Sequence, residues 1–286
     1  MKSEKKERAG KLKKKLITIA AVLCVAVIVY IAHSIVTSPA VQYRRAVRLM
    51  DRNVIKAYEL LIQLDDYKDS AEKADSIYEE YKVKKLNTAK VGDYVRFGAY
   101  EQDNDMSNGK ETIEWLVLDK QDNKVLVISK CGLDCKKYND SYMDITWKDC
   151  TLRKWLNSTF IENAFSLEEQ SAIVSSVIQN PDNAEFNIPG GGETTDQVFL
   201  LSIDEANQYF DSDRERTCKP TEYALINDAR AYSEGFCWWW LRSPGSLQNC
   251  AARVQYYGEL RTYGYNVAYR HCSVRPAMWI QLDAVK

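Results

Sequence analysis

Oxygen-bearing side chains alternate along one loop of the sequence, EQDNDMSNGKE at residues 101–111. Asp103, Asp105 and Ser107 occupy every second position, which is the spacing of the first ligands in loops that bind calcium. The match to an EF-hand loop is incomplete, because Asn108 stands at the sixth position, where that motif has glycine. The loop therefore has two interpretations, a weak calcium site and a solvated polar turn between strands. We predict no other cofactor.

Three consecutive tryptophans at 238–240 are followed by Arg242. Successive side chains of an extended chain point to opposite faces, so at least one indole must point away from its neighbours. In one interpretation the indoles fill an aromatic core, inside which Arg242 and Arg275 make hydrogen bonds. In the other, an exposed indole stacks on a sugar ring or another flat ligand. The second interpretation makes Trp239 and Arg242 candidate ligand-binding residues.

A tyrosine-rich stretch follows, in which five of the 18 tyrosines lie within the 14 residues 256–269. Tyrosine offers a large amphipathic contact at a low cost in conformational entropy, so recognition surfaces use it often. The alternative is a set of cross-strand aromatic pairs that only stabilise a sheet. Under the first interpretation, the candidate ligand-binding residues of this stretch are Tyr256, Tyr257, Arg261, Tyr263, Tyr265, Asn266 and Tyr269.

Catalytic groups are scarce in this sequence. It has two histidines, His33 and His271, and His33 lies in an apolar run, which disfavours a histidine-rich iron site or a Ser-His-Asp triad. A thiol paired with His271 stays open, and paired carboxylates cannot be identified among 40 acidic residues. Whether the protein is an enzyme is therefore uncertain, and we favour a protein that is not one.

The eight cysteines include Cys24 in the apolar run, which leaves seven elsewhere. An odd number means that at least one thiol stays free or pairs with another chain, and spacing alone does not fix the connectivity. Cys131 and Cys135 form either a local disulfide or plain buried thiols. Cys250 and Cys272, each placed before an apparent strand, are the best candidates for a disulfide between strands.

A hydrophobic run of 21 residues, Leu16–Val36, contains no Asp, Glu, Lys or Arg. As a helix it would span about 30 Å, the thickness of a bilayer's hydrocarbon core. Residues 1–15 hold eight basic and two acidic side chains, and such a basic tail stays in the cytoplasm. We therefore predict a single-pass membrane protein of the bacterial cell surface whose remaining chain is extracellular. A cleaved signal peptide is the alternative, although its apolar core is usually shorter.

The charge outside the basic tail argues against nucleic acid as a partner. The chain has 39 basic and 40 acidic residues, so removing the eight and two of the tail leaves 31 and 38 in residues 16–286. Binding to phosphates needs a clustered basic face, and this remainder is net acidic. We predict no nucleic-acid partner.

The elements that would position these residues change type near residue 88. Residues 40–86 have helical periodicity and include AYELLIQLDDYKDSAEKA, which resembles tetratricopeptide-like helix pairs. One such unit is too short for a solenoid, so this segment is interpreted as a stalk. Residues 88–286 alternate β runs with short helices and contain no linker, which predicts one α+β domain. Predicted local features are a hairpin at 121–123 and capping boxes at Ser166 and Ser202.

Six phrases occur in order: GDYVRFGAYEQDND, IEWLVLD, TLRKWLN, VFLLSIDEANQYF, WWWLRSPG and VRPAMWI. Over residues 90–283 they resemble an uncharacterised domain family of exported proteins in clostridial-type bacteria, for which no biochemical function is established. The C-terminal half is also similar to the C-type-lectin-like fold of formylglycine-generating enzymes and of variable ligand-binding proteins from diversity-generating retroelements. Cys250 is the sole counterpart of the copper-binding cysteine pair in those enzymes, so the resemblance does not imply their activity.

Three functions follow as expectations, in decreasing order of preference. The first is a membrane-anchored binding module that recognises a glycan, peptide or protein through its tyrosine- and tryptophan-rich face. The second is a structural or assembly component of the cell envelope, whose tyrosines another subunit covers. The third is an extracellular hydrolase or thiol-dependent enzyme with a deep cleft.

Overall fold

The computed structural model describes Val22, Tyr30 and residues 36–285. The chain divides into two compact units, Met1–Tyr81 and Lys82–Lys286. The basic tail and most of the apolar run 16–36 lie outside the described residues. Within the residues that are described, no helix has both the length and the apolar character needed to cross a membrane.

Helices account for most of the first unit. α1 is Pro39–Leu49, α2 is Val54–Ile62, and α3 is Ser70–Thr88, which continues into the second unit. Asn53 caps α2, because its side chain accepts a hydrogen bond from the backbone N–H of Lys56 at 3.1 Å. The unit has its own apolar cluster, within which the rings of Tyr58 and Tyr81 stack at 4.0 Å.

The boundary between the units falls earlier than the sequence suggests. Leu86, inside the predicted stalk, is fully buried in the core of the second unit, and Ala89 packs in the same core. The last residues of α3 therefore belong to the domain rather than to a stalk. The described helices of the second unit that follow are α4 (Thr151–Trp155), α5 (Ile161–Ala164), α6 (Leu167–Ala172), α7 (Ile203–Gln208), α8 (Asp213–Arg216) and α9 (Glu222–Ile226), with a π-helical turn at Leu156–Phe160.

The strands of the described residues are all in the second unit, which is a mixed α+β structure. In chain order they are β1 (Tyr94–Tyr100), β2 (Glu111–Gln121), β3 (Lys124–Ser129), β4 (Asp134–Cys135), β5 (Ser176–Ile178), β6 (Thr194–Asp196), β7 (Val198–Phe199), β8 (Trp239–Pro244), β9 (Cys250–Val254), β10 (Leu260–Asn266), β11 (Ser273–Val274) and β12 (Ala277–Gln281).

One five-stranded sheet has the order β1-β2-β3-β12-β7. Its hairpin between β2 and β3 pairs Gln121 with Lys124, so a two-residue turn forms where the sequence predicts it. The C-terminal strand β12 pairs with β3 over its whole length. This pairing joins two segments that lie far apart in the sequence. The capping boxes at Ser166 with Glu169 and at Ser202 with Glu205 are both formed.

The other five-stranded sheet has the order β10-β9-β8-β11-β4, so β10 and β4 are its edge strands. The register between β10 and β9 shifts between Arg261 and Tyr265, so residues 262–264 form a bulge. Gly264 lies in this bulge at φ +70°, and a Cβ there would stand 2.3 Å from the carbonyl oxygen of Ala251. Glycine is therefore required where the edge strand turns its tyrosines outward.

Candidate functional site

Aromatic rings gather at the edge of the second sheet, on and beside β10. The rings of Tyr257, Tyr263 and Tyr265 are 42–44 % exposed, and further rings behind them are half-buried. We call this surface the aromatic face, and its members are Tyr232, Trp238, Tyr256, Tyr257, Tyr263, Tyr265 and Tyr269.

A three-ring stack supports the aromatic face from within. Tyr232 lies between Trp238, at 4.8 Å and 18°, and Tyr256, at 5.0 Å and 16°. Tyr269 meets the edge of Tyr265 at 4.5 Å and also contacts Trp238. Burial, and then Tyr232, raise the pKa of Tyr269 to about 12, so this hydroxyl stays protonated at neutral pH. The rings behind the surface are thus fixed by their neighbours.

Arg253 of β9 lies under this face. Its guanidinium carbon is 3.8 Å from the ring centre of Trp238 and 4.4 Å from that of Tyr265, so the cation is held between two rings. The residue is 4 % exposed, and its Nε and Nη1 atoms have no hydrogen-bond partner among the described residues. Because Tyr265 covers the guanidinium, the orientation of this exposed ring is fixed by a buried cation.

Polar groups border the exposed rings. The guanidinium of Arg261 donates to the hydroxyl of Tyr257 at 2.6 Å, and that hydroxyl donates to Glu259 at 2.6 Å. The hydrogen bond to Glu259 raises the pKa of Tyr257 above its usual value. The guanidinium carbon of Arg261 is also 5.5 Å from the ring centre of Tyr263. The face therefore combines flat apolar rings with a polar rim.

Two predicted ligand-binding residues lie elsewhere. Trp239 is fully buried, and its Nε1 donates to the carbonyl of Arg216 at 3.0 Å, so this indole belongs to the core and cannot stack on a ligand. Arg242 is 2 % exposed and donates to both oxygens of Glu205 and to the carbonyl of Leu200. The prediction that these two residues bind a ligand is wrong, because both are buried and their polar atoms form hydrogen bonds with other groups of the protein.

The remaining predicted residues do lie near one another. Tyr256, Tyr257, Tyr263, Tyr265 and Tyr269 all belong to the aromatic face. Asn266 ends β10, and its side-chain oxygen accepts a hydrogen bond from the N–H of Ala268 at 2.7 Å, which shapes the following turn. Trp238 was not predicted as a binding residue, although it is the half-exposed member of the tryptophan run.

The predicted calcium ligands are arranged differently from a calcium loop. Oδ1 of Asp103 accepts from the N–H of Asp105 at 2.8 Å, and Oδ1 of Asp105 accepts from the N–H and hydroxyl of Ser107. Asp105 and Ser107 thus shape their own turn. Asp103 instead lies beside Glu101 and Glu111, and the three offer carboxylate oxygens within 4.8 Å of one another. Asp103, Asp105 and Ser107 as calcium ligands stay a prediction, and the structure adds the neighbouring group of Glu101, Asp103 and Glu111.

The electrostatics of that acidic cluster differ between its members. Burial, and then the neighbouring Glu111 carboxylate, raise the pKa of Glu101 above its usual value. A hydrogen bond from Asn108 lowers the pKa of Asp103. Beside the cluster is a cleft of about 600 Å³, whose lining includes Asp103 and Glu111.

All seven described cysteines are free thiols, so neither predicted disulfide is formed. The thiol of Cys135 donates to the carbonyl of Arg270 at 3.0 Å, and burial followed by Asp134 raises its pKa to about 12. Cys272 is fully buried, whereas Cys250 is half-buried. The fold instead brings together Cys218 and Cys237, whose sulfur atoms are 3.7 Å apart.

The thiol–histidine pair left open by the sequence is not assembled. The Nδ1 of His271 is 2.8 Å from the carbonyl oxygen of Asp228, and its Nε2 is 3.1 Å from the guanidinium of Arg230. Both ring nitrogens are therefore engaged by groups other than a thiol. His271 also meets the edge of Tyr269 at 5.2 Å, which makes it part of the border of the aromatic face.

The fold and this surface define a mixed α+β domain with an aromatic patch on the edge of one sheet. The chain belongs to the family described as a domain of unknown function (DUF6273), whose model matches residues 122–282. This confirms the broader prediction of an uncharacterised domain family. Comparisons with curated proteins and with solved structures give no match.

Proposed function

We propose that this protein is a binding module whose aromatic face recognises a glycan, peptide or protein ligand. The observation that carries the proposal is the row of exposed rings at β10, Tyr257, Tyr263 and Tyr265, each more than two-fifths exposed. Rings of this size dominate the energetics of recognition surfaces when a ligand covers them. An edge strand and its preceding turn that only stabilised the sheet would have no need to point these three rings into solvent.

The fixed position of these rings supports binding. Tyr265 stacks over the buried guanidinium of Arg253 and meets Tyr269, so its ring is already ordered. A surface that is ordered before binding loses less conformational entropy when a ligand arrives. Flat rings with the Tyr257 hydroxyl and Arg261 at their border fit a sugar ring, which has an apolar face and a polar edge.

Membrane anchoring and an extracellular position are part of the same proposal. In it, residues 16–36 hold the chain in the cell membrane, and the domain faces outward, where glycans and envelope proteins are available. The resemblance to C-type-lectin-like proteins fits this proposal, because their ligand face lies in the corresponding C-terminal part of the chain.

A role in envelope assembly is the second candidate. It is favoured by the position of β10 at an edge of its sheet, because a sheet edge is where a strand of another chain can pair. In that case a protein subunit covers the same tyrosines, and no small ligand is needed.

The proposal predicts that the full-length chain, in mild detergent, binds saturably to at least one member of an array of glycans, cell-wall fragments and envelope peptides. Replacing both Tyr263 and Tyr265 with alanine should weaken that binding by about tenfold or more, since each ring contributes roughly 0.5–1.5 kcal/mol. Measurement is by titration of the array ligand against each variant.

A matched control removes two exposed tyrosines elsewhere in the domain. Tyr94 is 45 % exposed and Tyr142 is 60 % exposed, and neither belongs to the aromatic face. The double alanine variant at these positions should bind as tightly as the unmodified chain. Equal losses in both double variants, or no ligand on the array, would count against the proposal.

A further inference from the structure

A cluster of three carboxylates lies at the hairpin that joins β1 to β2, and none of its members belongs to the aromatic face. Glu101 directly follows β1, and Glu111 is the first residue of β2. The pairing of Tyr100 with Glu111 brings the two ends of the loop together, and Asp103 folds back toward them. The three side chains offer carboxylate oxygens that all lie within 4.8 Å of one another.

A buried, unpartnered oxygen belongs to this cluster. Glu101 is 6 % exposed, and its Oε1 has no hydrogen-bond partner among the described residues. A buried carboxylate oxygen that neither donor nor cation satisfies is costly, because it has lost its water without replacement. Folded proteins retain such an atom where something absent from the protein chain itself satisfies it.

The charge of the cluster is not offset by basic side chains. None of the ion pairs among the described residues includes Glu101, Asp103 or Glu111. The adjacent cleft has three basic side chains in its lining, of which Arg96 and Lys130 pair with Glu114 and Lys110 donates to the carbonyl of Asn163. Three carboxylates so close together repel one another unless a cation or a shared proton lies between them.

The loop backbone holds two of these carboxylates in place. Oε2 of Glu111 accepts from the N–H of Gln102 at 2.6 Å and from that of Asp103 at 3.2 Å. Oδ2 of Asp103 accepts from the side-chain amide of Asn108 at 2.8 Å. The neighbouring cleft, which Asp103 and Glu111 line, gives solvent access and room for water ligands.

We propose that Glu101, Asp103 and Glu111 form a calcium site, completed by water from the cleft. An all-oxygen set of carboxylates suits a hard divalent cation rather than zinc or copper, which prefer nitrogen and sulfur. Calcium accepts irregular sets of six to eight oxygens, whereas magnesium demands near-ideal octahedral geometry and keeps most of its water. The bound ion would satisfy the buried oxygen of Glu101 and tie the two ends of the loop together.

Calcium should therefore bind and stabilise the full-length chain. Calcium sites of extracellular modules have dissociation constants of roughly 10⁻⁴–10⁻³ M. At 10 mM calcium, this affinity raises the melting temperature of a domain of this size by about 3–10 °C relative to chelator. Calorimetric titration with calcium chloride gives the affinity, and thermal unfolding gives the shift, with magnesium chloride as the comparison.

Two single substitutions distinguish the proposed ligands from the alternating residues Asp103, Asp105 and Ser107 of the same loop. Glu101→Gln should weaken calcium binding at least tenfold, and without calcium it should leave the melting temperature unchanged or raise it, because one of three repelling charges is gone. Asp105→Asn removes the same charge from the same loop outside the cluster, and should keep the calcium response of the unmodified chain.

The proposal is overturned if the unmodified chain shows no calcium-dependent shift, which would leave a shared proton as the means of holding the carboxylates together. It is also overturned if Asp105→Asn abolishes the response while Glu101→Gln keeps it, because the ligands would then follow the alternating motif. An equal response to magnesium would overturn the choice of calcium.

Discussion

Replacing Arg242 with alanine should lower the free energy of unfolding by about 3–5 kcal/mol, because it removes a buried guanidinium that pairs with a half-buried carboxylate and bonds three further acceptors. Arg242 donates to both oxygens of Glu205, to the carbonyls of Leu200 and Gln179, and to the side chain of Asn180. Its removal takes the cation from Glu205 and one donor from each of the other acceptors, of which Leu200 and Asn180 are buried. Chemical denaturation of the full-length chain, followed by tryptophan fluorescence, measures the change.

The control for this prediction is Arg270, which is 65 % exposed and lies 3.5 Å from Asp228. An exposed ion pair contributes about 0–1 kcal/mol, so Arg270→Ala should have little effect. Arg242→Lys should be almost as harmful as Arg242→Ala, because an ammonium group cannot donate to both oxygens of Glu205 in the planar geometry of a guanidinium. A loss below about 1 kcal/mol for Arg242→Ala would show that the buried network is misassigned.

Gly264→Ala should destabilise the domain by about 2–5 kcal/mol and displace the tyrosines on either side of it. The residue has φ +70°, which costs an L-residue about 1–2 kcal/mol, and the new methyl group would stand 2.3 Å from the carbonyl oxygen of Ala251. Relieving such an overlap adds about 1–3 kcal/mol. The change in stability is measured by chemical denaturation.

A substitution at Gly92 separates the backbone cost of a positive φ from the cost of the steric overlap. It has φ +89°, and a Cβ there would have no atom within 4 Å, so Gly92→Ala tests the backbone cost alone, about 1–2 kcal/mol. If the two alanine variants lost the same stability, the close approach of β10 to β9 at the bulge would be contradicted. If the bulge is correct, Gly264→Ala alone should also weaken ligand binding by the aromatic face.

Local features were the part of the fold that the sequence could predict. The capping boxes at Ser166 and Ser202 depend on residues three positions apart, and the turn at 122–123 joins two adjacent strands. The alternation of the tryptophan run was also predictable. That both sides of this strand are buried was not predictable, because it depends on which distant segments pack on each face of the sheet; Trp239 and Trp240 are both fully buried, and the prediction that Trp239 binds a ligand is therefore wrong.

The parts of the sites that depend on pairing between distant segments could not be predicted. In the sequence, Arg253 is a single cation within an apolar strand. The two rings that it contacts, Trp238 and Tyr265, come from separate segments, so the sequence does not indicate this contact. Alternate positions in the loop predict one set of cation ligands, whereas the register of β1 and β2 brings Glu111 beside Glu101 and so forms a carboxylate cluster that spacing does not reveal. The same limit applies to Cys218 and Cys237, which are 19 positions apart and meet only in the fold.

Protection of individual tyrosines from nitration tests the aromatic face most directly. The full-length chain is nitrated with and without a preparation of bacterial cell-wall glycan, and each site is quantified by mass spectrometry. The account predicts that Tyr263 and Tyr265 are protected, while Tyr94 and Tyr142 react equally in both samples. Nitration of Tyr263 and Tyr265 that the glycan does not change, or protection of all four tyrosines alike, would contradict the proposal that this face recognises a glycan.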